Sequence, residues 1–149
     1  MAEDFQARSV PIDGIGFQMH IHMDWPSTDA IRASFQKVVD LGLKVKITEL
    51  DIPYHNPHGN GEPQYEGYTA EFAEAQKKRY CEVVEAYMGV VPEDKRGGLT
   101  IWGLTDGSSW LNSTFFDGEQ SWPLLFSDDL QPKPAIMGVA DALRGRPCS

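Results

Sequence analysis

A threefold alternation of short strand-like runs with longer stretches of helical periodicity restricts what this chain can fold into more than any other feature. In IGFQMHI (residues 15–21), Phe17, Met19 and Ile21 fall on one side and Gln18 and His20, followed by His22, on the other, the period of two expected of a strand. Ser27, Thr28 and Asp29 then offer helix N-caps, and Ile31, Phe35, Val38, Val39 and Leu41 recur at helical spacing until Gly42 closes the element. The pattern repeats. VKITELDI (residues 45–52) reads as a strand stopped by Pro53, a polar loop follows over 54–67, and a capping-box start at Thr69 opens a helix to Met88 with Phe72 and Tyr80 on its apolar face. Gly97 and Gly98 precede a third strand, LTIWGLTD (99–106), a long loop reaches to Asp129, and Pro134 opens a last helix that ends at Arg144.

Strands that alternate with helices pair in parallel through right-handed crossovers, so the expected class is α/β, with residues 1–149 forming one unit. Three such units fall short of the eight strands and roughly 250 residues of a closed barrel. The loops after the strands are longer and richer in aromatic and polar residues than the turns before them, which marks the strand C-termini as the ligand face. Sheet edges and an inner face left without partners predict association, with further copies of the chain or with a missing N-terminal portion.

Composition narrows the partners. The chain is 41% hydrophobic and 23% charged, as expected of a globular domain, and its net charge of −9 disfavours nucleic acid, which needs clustered cations. No apolar run reaches the roughly 20 residues of a membrane-spanning helix. The opening MAEDFQARSV has no apolar core of a secretory signal and reads as the last turns of a helix. The spacing of Cys81 and Cys148 does not determine whether they pair.

Glu49 and Asp51 stand two apart at the end of the middle strand, and a period of two turns both carboxylates to one face. Gln18 and His20 do the same on the preceding strand. If the strands are neighbours, the His20 imidazole can hydrogen-bond a carboxylate and hold it ionised, as a nucleophile requires. An isolated strand-end acid is most often merely solvated; the convergence of Gln, His, Glu and Asp on one sheet end argues otherwise. Trp102 and Trp110, with Trp25, Trp122, Tyr54, Tyr65 and Tyr68 in loops, offer aromatic faces suited to the C–H faces of sugar rings.

The segments GIGFQMHI (14–21), ITELDI (47–52), WGLTDGSSW (102–110) and PLLFSDDLQPKPA (123–135) resemble, in order and spacing, the motifs around strands six to eight of family 10 glycoside hydrolases, retaining endo-β-1,4-xylanases. The resemblance covers nearly the whole chain and implies a partial TIM barrel that acts on xylan or xylo-oligosaccharides without a cofactor. It implies Glu49 as the nucleophile, His20 bonded to Glu49 and held by Asp51, and Gln18, Trp102 and Trp110 lining the subsite of the attacked xylose. It also implies an extracellular setting. The family's acid/base lies in an Asn-Glu pair on the fourth strand, and no such pair occurs here. Glu62, Glu66, Glu119 and Asp106 are other acids near strand ends or in loops, and spacing singles out none of them.

Two rival readings follow from the same residues. His20 and His22, with His55 and His58 beyond the next strand, suggest a metal-dependent hydrolase. Alternatively, Trp102, Trp110 and Gln18 form a remnant that binds xylo-oligosaccharide without cleaving it.

Overall fold

Capping and strand register set the frame on which the site is built. The structure is a computed structural model, and it describes residues 1–54, 65–115 and 117–149. A short helix α1 (Ala2–Ala7) precedes strand β1 (Gly14–Phe17), helix α2 (Thr28–Asp40), strand β2 (Lys44–Leu50) and helix α3 (Ala70–Val90). Strand β3 (Arg96–Ile101), a short helix α4 (Trp110–Phe115) and helix α5 (Pro134–Leu143) complete the order, with single 3-10 turns at Glu93–Lys95 and Asp106–Ser108. Ser27 Oγ accepts from Ala30 N–H at the start of α2, and Thr69 Oγ1 accepts from Phe72 N–H at the start of α3. Each side chain satisfies a donor that the first helical turn would leave orphaned.

The sheet is three-stranded and parallel in the order β1-β2-β3. The expected strand at 15–21 stops early because Met19 adopts a left-handed φ of 67°, which a ladder cannot accommodate. The third strand lies closer to the N-terminus than expected, with Gly97 and Gly98 inside it and Trp102 just beyond its end. A side chain at Gly97 would press on Lys46 Cβ and Val45 O, both 3.0 Å away, so glycine serves close strand approach rather than a preceding turn. Six-residue α4 lies in the expected long loop; one turn and a half is too short for helical periodicity to declare itself.

Helices cover one face. Phe35 of α2, Val45, Ile47 and Leu50 of β2, and Tyr80 and Val83 of α3 are all fully buried, each worth about 1.5–3 kcal/mol when taken from water. Tyr87 Oη donates to Val45 O at 3.0 Å and accepts from Gly98 N at 3.1 Å, tying α3 to two strands at once. On the opposite side of β2, Lys44 and Lys46 are exposed and Thr48 is half-buried, with Gly14, Gly16 and Gly97 packed beside them. That face is polar and small, not the apolar surface that the unpartnered sheet suggested.

Helix α5 rests on α3 through Gly138, where an added Cβ would lie 2.1 Å from Lys77 O. Cys81 of α3 and Cys148 form a disulfide, the pairing that spacing left open, with Cα atoms 5.5 Å apart.

Candidate functional site

Strict alternation along β2 would place Glu49 with Val45 and Ile47, on the side the helices cover. A register irregularity between Ile47 and Leu50 intervenes: the buried residues are now three apart, and Glu49 turns outward with its side chain 22% exposed. Asp51, just past the strand, is fully buried. Beyond β1 the ladder continues irregularly, with Glu49 N donating to Gln18 O at 2.9 Å and Ile21 N to Asp51 O at 3.2 Å. The left-handed Met19 and the β2 irregularity together bring His20 between the two carboxylates.

His20 Nε2 lies 3.2 Å from Glu49 Oε2, and its Nδ1 lies 3.0 Å from Asp51 Oδ2. Trp110 Nε1 donates to the same Asp51 oxygen at 2.9 Å. Asp51 therefore receives two donors from inside and fixes both the imidazole and the indole. The Trp110 ring sits 4.9 Å from that of His20, and Trp102, 44% exposed, stands 6.3 Å from it. Gln18, His20, Glu49, Trp102 and Trp110 line one cleft of about 320 Å³. All six residues singled out by sequence are thus brought together, five facing the cleft and Asp51 behind them.

Burial alone would lower the pKa of His20. The hydrogen bonds and negative charges of Asp51 and then Glu49 outweigh it, and the net effect lifts the imidazole above its ordinary 6.5. A protonated His20 donates to both carboxylates.

The remaining candidates lie elsewhere. Asp106 is 2% exposed and its Oδ2 pairs with Lys133 Nζ at 2.8 Å, while Oδ1 accepts from Leu124 N–H at 2.8 Å. Burial pushes its carboxyl pKa up and that of Lys133 down, their mutual attraction opposing both shifts. It braces a loop and does not face the cleft. The His22 ring is buried and stacks on Trp25 at 6.0 Å, so it does not share the exposed side of His20. His55, His58 and Glu62 lie outside the described residues. Among the described residues, no group of three or more His, Cys, Asp or Glu is placed to hold a metal ion.

Sequence reasoning passed over the supports. Arg79 donates to His22 O at 3.1 Å and Pro26 O at 2.5 Å, holding the loop after β1. Gln76, on α3, donates to Ile52 O at 2.8 Å just beyond the acidic pair. Each is a polar residue on a helix face that periodicity reads as packing, and the only available signal was its position among apolar neighbours.

Comparison with known proteins matches this geometry to one family. The family model for glycosyl hydrolase family 10 matches residues 1–142. The endo-beta-1,4-xylanase Xyn10C of Cellvibrio japonicus is 51% identical over 155 aligned residues, covering all of this chain and 26% of the relative. Endo-1,4-beta-xylanase A of the same organism is 49% identical over 92% of this chain and 23% of its own length. The chain therefore spans about a quarter of the length of these two curated relatives. The native xylanase10C structure from C. japonicus superposes with a TM-score of 0.96, covering the whole chain and 32% of that one. A family 10 structure from Paenibacillus barcinonensis, 33% identical, superposes at 0.85 over 99% of this chain and 41% of its own. By the extent of these matches, this chain belongs to glycosyl hydrolase family 10, its three parallel βα units forming part of that family's (β/α)8 barrel.

Proposed function

We propose that the chain supplies the nucleophile half of a retaining endo-β-1,4-xylanase site. The observation that carries the reading is the bridge from Glu49 through His20 to Asp51 at the floor of a tryptophan-walled cleft. A carboxylate hydrogen-bonded to His20 and half-exposed beside aromatic walls is placed to attack an anomeric carbon: the Glu49 oxygen bonds to the sugar, the glycosidic C–O bond breaks, and water later hydrolyses the ester. Gln18, Trp102 and Trp110 then bind the xylose under attack, and Asp51 keeps His20 and Trp110 in place. A relative's solved complex supports the substrate class: a C. japonicus xylanase10C mutant is described with xylopentaose.

Retention needs a second carboxyl about 5–5.5 Å away to protonate the leaving oxygen. Asp106 is buried against Lys133, and Glu66 and Glu119 line a different cavity. We assign that role to a carboxyl outside these residues.

The test uses a xylobiosyl fluoride that carries fluorine at C2. Fluoride leaves without protonation, so a glycosyl-enzyme adduct can form even where the acid is absent, while the C2 fluorine slows its hydrolysis. Peptide mapping should find the added mass on Glu49, and Glu49→Ala should take up none. Label on another residue would reject Glu49 as the nucleophile, and binding of the reagent with no adduct would favour the binding remnant.

A further inference from the structure

Next to the loops after β2 and β3 lies a second cavity, of about 660 Å³, lined by Tyr54, Tyr65, Glu66, Gly67, Glu119, Gln120 and Trp122. It shares no residue with the Glu49 cleft. Its centre of interest is Trp122, whose φ of 46° is left-handed, a conformation that strains a bulky residue where glycine or asparagine would sit at ease.

The strain is held by an unusual number of fixed contacts. Trp122 O accepts from Gln76 Nε2 at 2.7 Å and from Lys133 Nζ at 2.9 Å. Before it, Ser121 donates its N–H and hydroxyl to Asn112 Oδ1 at 3.0 and 2.9 Å. After it, Pro123 O accepts from Tyr80 Oη at 2.6 Å and from Ile52 N–H at 3.1 Å, and Leu124 N–H donates to Asp106. Every backbone position from 121 to 124 is tied down, and the half-buried indole is what this clamp aims. Gly67, at φ 96°, lies against the indole edge, where a Cβ would come within 3.2 Å of Cη2. Tyr54 meets the ring edge-on at 5.4 Å, and Tyr68 lies at 6.2 Å.

We propose that this cavity is a second, separate binding site for a neutral oligosaccharide, with Trp122 as its stacking platform. The proposal rests on the xylan reading for its substrate class. Aromatic faces take the C–H side of a pyranose ring, Glu66 and Glu119 accept from its hydroxyls, and Gln120, whose Nε2 also donates to Asp128, offers its Oε1 and second amide hydrogen. Two carboxylates on the rim repel a uronate, so the site selects an undecorated, uncharged stretch of chain.

The chain's four tryptophans make the test direct. With 5-fluorotryptophan incorporated, each indole gives its own ¹⁹F resonance, assigned by single Trp→Phe variants. Xylotriose should shift the Trp122 signal saturably, with Trp25 still, and the shift should persist in the Trp110→Ala form. Glucuronate at equal concentration should leave Trp122 unmoved, and Gln120→Ala, which spares the clamp, should weaken xylotriose at Trp122 by about tenfold, 1.4 kcal/mol. Movement of Trp102 and Trp110 without Trp122 overturns this site while sparing the primary cleft. A Trp122 shift that vanishes with Trp110→Ala, or that glucuronate or spermine reproduces, overturns it as well. Silence at Trp102 and Trp110 beside a saturable Trp122 shift upholds this site and counts against the cleft reading alone.

Discussion

His20 is the residue on which the site's electrostatics turn. Its folded pKa lies above the ordinary value, so the imidazolium form stabilises the fold fully below about pH 6.5, and that contribution fades as pH rises through the folded pKa. Removing the buried charge should reverse most of this: in Asp51→Asn, the His20 titration followed by imidazole NMR is expected to fall toward or below 6.5, because burial then acts with only Glu49 opposing it. An unchanged titration would show that Asp51 does not set the imidazole. That His20, Glu49 and Asp51 meet was legible from their spacing. Their depths were not: two acids two apart read as equivalent, yet one is half-exposed and the other fully buried. The irregularity in β2 makes that difference, and nothing in ITELDI announces it, because register depends on the strand alongside.

At the scale of elements, caps and periodicity located both long internal helices to within two residues, since Ser27 and Thr69 carry their signal locally. Strand ends were less readable. They depend on where a neighbour stops pairing, as at Met19, and on close approach, as at Gly97. The α3–α5 contact illustrates a feature that sequence shows only as an isolated glycine. Gly138→Ala gains about 1 kcal/mol of helix propensity, but its methyl would lie 2.1 Å from a backbone carbonyl that has no rotamer to change. Separating the helices should cost more than it gains, with overpacking of about 1–3 kcal/mol. Urea denaturation should therefore show a lower midpoint for Gly138→Ala. An equal or higher midpoint would mean that the helices part freely.

For the whole molecule, the Cys81–Cys148 bridge closes a sequence separation of 67 residues and ties the tail to α3. Loop-closure arguments give such a link about 2–4 kcal/mol. Cys148→Ser should lower thermal stability accordingly, and reductant should lower that of the parent but not of the variant. Equal melting of parent and variant would make the bridge energetically idle. The sheet's uncovered side carries Lys44, Lys46 and Thr48, so hydrophobic burial is not what that side offers a partner.

Sequence alone determined the order of the strands and the longer helices, the parallel α/β class and the family, because propensity, capping and ordered motifs are written locally along the chain. Only the tertiary structure decided which carboxylate faces solvent, whether the cysteines join, and how Trp122 is aimed. Those outcomes depend on contacts between residues tens of positions apart, such as Gln76 and Lys133 with the Trp122 carbonyl. Such contacts form only when the packed elements meet.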